Sequence, residues 1–373
     1  MIDVNKMPKL GFGLMRLPEN CGKIDTQTVC KMVDMYLESG FNYFDTAYVY
    51  HGGNSEKVVK EVLVDRHPRE SFTLATKLPA WALKDKDDRD KVFSEQLDRM
   101  GTDYVDYYLL HSLEDGNNYE TYEKLDCFNW GVEKKAQGKI KHFGFSFHGT
   151  PELLEKVLDK HPEIEFVQIQ LNYADWDNKV VNSGRLYEIL LERKIPMIIM
   201  EPVKGGTLAN VTDEVAEIFK AKNPDMSPAS WAMRFCASLD GIGTILSGMS
   251  NIEQMQDNLK TFTDFKPLDK DELEVLEKAK SEMFKTELIG CTTCRYCCDG
   301  CPMGIRIPDI FNAVNTKRKF PGDNRPGFFY GSLTGFSGKA SDCIGCGQCE
   351  AVCPQHLPII ELLKEAVEKF ENK

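Results

Sequence analysis

Along the first 265 residues, short apolar runs alternate with stretches whose apolar positions recur at helical spacing. A continuous apolar run bounded by polar residues reads as a strand buried on both faces, and a period near 3.6 reads as a helix packing one side on the sheet. Strands are predicted at 10–15, 43–46, 73–77, 105–111, 142–146, 166–172, 197–201 and 243–247. Helices are predicted between them at 26–39, 55–66, 86–99, 121–137, 151–158, 184–193 and 229–237. Gly40, Gly101, Gly138 and Gly241 fall at the helix ends, where a left-handed cap favours glycine. Eight strands alternating with helices predict an α/β protein of the (β/α)8 TIM-barrel type. A doubly wound open sheet is the alternative, but Gly11-Phe-Gly13 lacks the third glycine of a dinucleotide-binding turn and no P-loop occurs. Residues 266–285 are charged and helical in pattern. Beyond them, 307–317 and 357–370 repeat a loop-then-helix unit. The division expected is a barrel over 1–280 and a small, mainly helical domain over 281–373.

Composition narrows the class. The 373 residues are 42% hydrophobic, enough for a large core, with no apolar run of membrane-spanning length. The opening Met1-Ile-Asp-Val-Asn-Lys-Met-Pro8 lacks the apolar stretch of a signal peptide. A formal charge of -12 argues against nucleic-acid binding. Nine of the 13 cysteines sit in two runs, with Cys21, Cys30, Cys127 and Cys236 scattered. That is no secreted disulfide framework, and a reducing cytoplasm is the expected setting.

The two runs are Cys291-Thr-Thr-Cys294-Arg-Tyr-Cys297-Cys298-Asp-Gly-Cys301-Pro302 and Cys343-Ile-Gly-Cys346-Gly-Gln-Cys349-Glu-Ala-Val-Cys353-Pro354. Both fit C-x2-C-x2-C-x3-C-P, the spacing with which bacterial two-cluster ferredoxins hold two [4Fe-4S] centres, the fourth cysteine ligating the other cluster. Zinc sites use two C-x2-C pairs instead. Crossed ligation assigns Cys291, Cys294, Cys297 and Cys353 to one cluster and Cys343, Cys346, Cys349 and Cys301 to the other. Cys298 is surplus. The 41 residues between Cys301 and Cys343, including the Gly/Pro/aromatic stretch 321–338, are long for a compact ferredoxin. The region resembles the helical dicluster ferredoxin module fused to many oxidoreductases.

In the barrel, four polar residues end or closely follow successive predicted strands: Asp45, Tyr50, Lys77 and His111. C-terminal strand ends face the active site of such a barrel, so these four are expected to converge. Lys77 beside Tyr50 lowers the phenol's pKa, and Asp45 keeps Lys77 charged. A tyrosine so tuned can protonate a carbonyl oxygen as hydride reaches the carbon, with His111 orienting that oxygen.

The segments Leu10-Gly-Phe-Gly-Leu-Met-Arg-Leu-Pro18, Phe44-Asp-Thr-Ala-x-x-Tyr50 and Met100-Gly-Thr-Asp-Tyr-Val-Asp-Tyr-Tyr-Leu-Leu-His111 resemble the aldo-keto reductase superfamily over roughly residues 5–265. The resemblance implies a catalytic tetrad at Asp45, Tyr50, Lys77 and His111, and NAD(P)H bound across the barrel mouth without a Rossmann domain. It places nicotinamide contacts at Ser146 and Gln168, a loop after the eighth strand at Ser247, Gly248 and Met249, and an adenine-side helix carrying Gln254 and Asn258. The chain departs from the family at four points. Phe147 and His148 follow Ser146, where the family often has Asn. Met200 or Glu201 stands where a tyrosine often stacks on nicotinamide. Gly248 and Gln254 align where NADPH-preferring members carry cations, so NADH is favoured slightly over NADPH, with Arg16 as a compensating charge.

Hydride transfer moves two electrons at once and iron–sulfur clusters pass them singly, and no flavin signature joins the two. One expectation is a carbonyl reductase or alcohol dehydrogenase whose clusters transfer electrons, dock a ferredoxin or other redox partner, or sense redox state. The alternative is a ferredoxin-linked protein that delivers single electrons to a substrate or partner at the barrel mouth.

Overall fold

A computed structural model describes residues 2–114, 117–178, 181–285, 287–319 and 325–372. Eight parallel strands close into a barrel: Leu10–Gly13, Tyr43–Asp45, Thr73–Pro79, Val105–Leu113, Ile140–Phe147, Phe166–Gln170, Met197–Met200 and Ile242–Ser247. The eighth strand pairs with the first, Leu10 against Ile245 and Phe12 against Ser247, so the sheet has no open edge. This is the (β/α)8 architecture, and the closure rules out the open doubly wound sheet. Strands of such a barrel lie under helices outside and under one another's side chains inside, and all nine residues of Val105–Leu113 are accordingly buried. Tyr43, Tyr107, Phe166, Ile198 and Leu246 fill the interior at one level, with Ile2 against them, so the barrel is a packed core.

Local chemistry sets the helix boundaries. Asp25 accepts the Thr28 N–H to start Thr26–Glu38, and Thr150 accepts the Leu153 N–H ahead of Pro151–Lys160. Gly101, at φ 68°, ends Asp87–Met100 by turning its N–H back to the Asp98 and Leu97 carbonyls.

Several boundaries differ from the sequence expectation. The helix expected over 121–137 is two, Asn117–Lys124 and Cys127–Ala136, because Asp126 takes a left-handed conformation (φ 58°). Arg89 holds that break by donating to the Leu125 and Asp126 carbonyls. A short hairpin, Glu19–Asn20 with Lys23–Ile24, escapes the pattern because Cys21-Gly22 is an unusual pair for the two positive-φ turn positions. Helix Asp213–Lys222 buries only Val215 and Phe219, too sparse a pattern to read. Helix Arg325–Leu333 hides in Gly/Pro/aromatic composition, Pro326 being tolerated in its first turn. Residues 321–324 of that stretch lie outside the described residues.

The chain divides into two compact units. Met1–Pro202 with Ser230–Leu268 makes the first, and Val203–Ala229 with Asp269–Lys373 the second. Within the second, helix Ile307–Lys319 packs on Arg325–Leu333 and Ile359–Phe370 around Ile310, Phe311, Val314, Leu363 and Ala366. Arg318 grips Glu365 at 3.0 and 2.5 Å, and Asn315 closes a two-way hydrogen bond on Ile289 at 2.7 and 2.8 Å, just ahead of the first cysteine run. Among the described residues no helix is long and apolar enough to cross a membrane.

Close approach in the barrel wall yields a test. A β-carbon on Gly144 would stand 2.3 Å from the Phe166 carbonyl oxygen, on the neighbouring strand. Backbone on both sides cannot yield cheaply, so Gly144→Ala should lower stability by about 1–3 kcal/mol in urea unfolding. An unchanged midpoint would show that the wall is more compliant than this packing implies.

Candidate active site and cluster cradles

Asp45 closes the second barrel strand, Lys77 lies in the third, and His111 in the fourth. Tyr50 opens a tight turn, Tyr50–Gly53, shortly after Asp45. The structure brings these four together. Lys77 Nζ donates to Asp45 Oδ1 at 2.6 Å, to the Thr46 carbonyl at 2.7 Å and to Tyr50 Oη at 3.3 Å. An ammonium has three protons, so this set satisfies it. The His111 ring stands edge-on to Tyr50 at 6.1 Å, and Trp81, half exposed, lies 5.2 Å from the same imidazole.

Burial governs the electrostatics. Asp45 and Lys77 are 2% and 0% exposed. Desolvation pushes the Asp45 carboxyl up and the Lys77 ammonium down, and each group's charge counters the other's shift. At 2.6 Å, with two further acceptors on the ammonium, the pair is held as ions. Desolvation, then the Lys77 and His148 charges, push the His111 imidazole well below its ordinary value, so it stays neutral. Among the described residues, Asp45 Oδ2 and His111 Nδ1 are buried without a hydrogen-bond partner. The Tyr122 hydroxyl lies 2.7 Å from both the Leu78 and the His111 carbonyl oxygens and accepts the Ala80 N–H at 3.0 Å, tying the ends of the third and fourth strands together.

The residues expected around nicotinamide divide. Ser146 Oγ accepts the Ser112 N–H at 2.7 Å, and buried Gln168 leaves Oε1 without a partner among the described residues. Met200, half-buried, ends the seventh strand, and Glu201 follows in a left-handed conformation at φ 57°. Three others serve the loop after the eighth strand. Asn258 donates to Ser247 Oγ at 2.8 Å, Gln254 Oε1 accepts the Ser250 N–H at 2.7 Å, and Met249 is buried. Gly248 lies under Arg16, whose stem is 3.1 Å from where a β-carbon would stand.

In the second unit the cysteines form two groups of four. Cys291, Cys294, Cys297 and Cys353 line one concavity, walled by Ile307 and Phe311. Cys301, Cys343, Cys346 and Cys349 line another, beside Met303 and Ile344. Cys298 lines neither. Positive φ recurs at equivalent places in the two runs, Thr293 and Arg295 in the first, Gly345 and Gly347 in the second. Arg295 keeps this conformation without being glycine, and Asp309 anchors its guanidinium through two hydrogen bonds of 2.9 and 2.8 Å. Cys346 is exposed, and Ile344 beside it is 64% exposed.

Sequence reasoning missed the polar side chains behind the site. Glu56, Thr76 and Gln96 are buried beside the Lys77 strand, and nothing in their spacing marks them, because a Glu or Gln on a helix reads as solvent-facing. Trp81 was also missed. Its signal was its place just beyond the third strand.

Comparison with known proteins matches two successive stretches of the chain. Residues 9–281 match the aldo/keto reductase family, and residues 290–357 match the 4Fe-4S dicluster domain. The uncharacterized oxidoreductase YqkF of Bacillus subtilis is 24% identical over 312 residues, covering 74% of this chain and 94% of that protein. A solved aldo-keto reductase of Bacillus halodurans in its holo form superposes with a TM-score of 0.58 at 24% identity, covering 73% of this chain and 92% of the other. One from Klebsiella pneumoniae, in complex with NADPH, gives 0.57 at 21% identity, covering 73% and 90%.

The state of His111 is open to measurement. An imidazole kept neutral in the fold, but free to protonate when unfolded, makes the unfolded chain bind more protons below its ordinary value of 6.5. The stability it contributes is present above that pH and is lost as pH falls beneath it. Urea midpoints of the wild type should therefore drop more steeply than those of His111→Gln between about pH 6.5 and 5. Parallel curves would mean that the imidazole protonates freely in the fold.

Proposed function

The chain belongs to the aldo/keto reductase family and carries a 4Fe-4S dicluster domain, and on that premise we propose that it interconverts a carbonyl and an alcohol by nicotinamide-dependent hydride transfer. The observation that carries this is Lys77 Nζ, set between Asp45 Oδ1 at 2.6 Å and Tyr50 Oη at 3.3 Å with the His111 ring alongside. Tyr50 is the general acid in reduction and the general base in oxidation. A lysine ammonium at hydrogen-bond distance stabilises the phenolate that remains after the proton leaves. Asp45 keeps that ammonium charged where burial works against it. His111, neutral, orients the carbonyl oxygen toward Tyr50.

Bound nicotinamide nucleotide supplies or accepts the hydride. The residues present fit it, because the buried Gln168 Oε1 lacks a donor among the described residues and a carboxamide N–H provides one. Ser146 lies on the adjoining strand, opposite Gln168, and Met200, at the end of the seventh, would offer the ring an apolar side chain. Ser247 and Asn258, through their mutual hydrogen bond, hold Gly248 and Met249 in place for the rest of the nucleotide. Gly248 and Gln254 bring no cation to that loop, which favours NADH over NADPH; Arg16 is the nearest candidate for a compensating charge.

The cysteine groups fit two [4Fe-4S] clusters, each cradle offering four sulfurs and apolar walls. Cys291, Cys294, Cys297 and Cys353 would hold one, and Cys301, Cys343, Cys346 and Cys349 the other. Clusters exchange single electrons. The exposed Cys346 with Ile344 and Met303 around it supports docking of a ferredoxin or similar one-electron carrier there. The same exposure favours a second reading, in which electrons from such a carrier pass to a substrate and the tetrad supplies protons. Substrate that reoxidises dithionite-reduced clusters without nicotinamide would select this second reading.

Two outcomes test the first. Tyr50→Phe should lower kcat for carbonyl reduction by about 10²–10⁴-fold with nucleotide affinity kept, and wild-type turnover in that variant would end the assignment. For the cradles, Cys298→Ser should keep the full iron and acid-labile sulfide content, whereas Cys301→Ser should lose a cluster. The reverse pattern would place Cys298 among the ligands.

A further inference from the structure

A buried carboxylate behind the site makes contacts that the tetrad alone does not explain. Glu56 is fully buried in the helix that follows the Tyr50 turn. Its Oε1 accepts the Thr76 hydroxyl at 2.7 Å and the Gln96 amide at 2.8 Å, and its Oε2 accepts the Arg99 guanidinium at 3.2 Å. The Gln96 amide also lies 3.0 Å from the Lys77 carbonyl, while Gln96 Oε1 accepts the Tyr108 hydroxyl at 2.7 Å. Arg99 in turn donates to the Tyr48 carbonyl at 3.3 Å and covers the Tyr48 ring at 4.2 Å, between Asp45 and Tyr50. Ser55, next to Glu56, shares a 2.8 Å hydrogen bond with Thr46, whose carbonyl takes one Lys77 proton.

One network therefore touches every segment that carries a tetrad residue: the Asp45–Tyr50 connection, the Lys77 strand, and, through Tyr108, the His111 strand. We propose that Glu56 is a positioning residue for the proton-donating pair, fixing Lys77 against Tyr50 through Thr76 and Gln96 and holding the Lys77 ammonium charged. The proposal rests on the reading of Lys77 and Tyr50 as that pair.

Two physical arguments support it. A buried ion pair is an expensive way to hold elements together, and apolar packing of equal volume stabilises as well or better. A carboxylate retained there does something that packing cannot, which is to set distances and fields. Distance matters because a misplacement near 1 Å costs about a hundredfold in rate. The field matters because Lys77 is desolvated. Asp45 faces it directly, Tyr50 and His111 share its pocket, and Glu56 adds a second negative charge from behind. Removing that charge also leaves the Arg99 cation beside the strand with Glu95 as its remaining carboxylate partner. Both changes disfavour the Lys77 ammonium.

The decisive variants separate charge from clamp. Glu56→Gln keeps the shape and an acceptor for Thr76 and Gln96 but removes the charge. Gln96→Leu keeps the charge and removes the grip on the Lys77 carbonyl. The first readout needs no turnover: the pH at which Lys77 Nζ loses its proton, followed by NMR of lysine-labelled protein and assigned with Lys77→Met. It should fall by about one unit in Glu56→Gln and stay in place in Gln96→Leu. In steady-state kinetics, Glu56→Gln should move the alkaline limb of kcat/KM to lower pH, and Gln96→Leu should lower kcat roughly tenfold without moving that limb. KM for the nucleotide should stay within about twofold in both, since neither residue touches its expected site. If Lys77 titrates at the same pH in Glu56→Gln as in wild type, or Gln96→Leu turns over normally, the network is structural only and the inference falls. If the Lys77 shift appears but the wild type reduces no carbonyl with either nucleotide, the coupling stands and the proposed function fails instead.

Discussion

The first unit is organised around one costly interaction, an ammonium and a carboxylate buried together at the end of a barrel. Lys77 and Asp45 are withdrawn from water almost completely, and each alone would shed its charge. Their stability as ions depends on the 2.6 Å contact, on the Thr46 carbonyl and on the Tyr50 hydroxyl, supplied by three consecutive stretches of chain. A closed parallel barrel sets neighbouring strand ends side by side with backbone hydrogen bonds complete on both sides of every strand. Breaking such a pair by removing one partner leaves an uncompensated buried charge, which is why the surroundings are so heavily braced. Tyr122 ties the third strand end to the fourth, and Glu56, Gln96 and Arg99 brace the same strands from outside.

The second unit solves a different physical problem. It gathers eight cysteines into two concave cradles using short loops that need left-handed backbone at matched positions. Gly345 and Gly347 meet that need at little steric cost. Thr293 and Arg295 meet it with side chains, and the Arg295–Asp309 clasp accounts for one of them. Each cradle has buried cysteines, Cys297 and Cys353 in the first and Cys349 in the second, and they differ at Cys346, which is exposed where its counterpart Cys294 is half-buried. On the proposed function, two kinds of electron transfer must be kept distinct, and a residue set that completed proton and hydride chemistry inside the barrel would achieve that without calling on iron.

Much of this was legible in the sequence, for identifiable reasons. Barrel strands buried on both faces leave long apolar runs, so all eight were found with boundaries shifted by a few residues. Asp45 closes its strand because the apolar run stops there, while the strands of Lys77 and His111 run on to Pro79 and Leu113. The grouping of Cys353 with the first run and Cys301 with the second followed from spacing, and the structure puts them around those concavities. What escaped depends on tertiary context. Glu56 and Gln96 look like surface residues of amphipathic helices, and only the packed fold reveals that they point inward. Asp126 breaks a helix whose periodicity runs on unperturbed, because Arg89, distant in sequence, stabilises the break. The inclusion of 203–229 in the second compact unit leaves no compositional mark at all.

On the proposed function, hydride chemistry at Tyr50 runs without electrons passing through the clusters. A single anaerobic turnover with nicotinamide deuterated at the transferred position, followed by mass spectrometry of the alcohol and by cluster absorbance, addresses it directly. One deuterium on the carbinol carbon and an unchanged cluster spectrum are expected. An alcohol that has drawn its hydrogen from solvent while the clusters bleach or recover would contradict it.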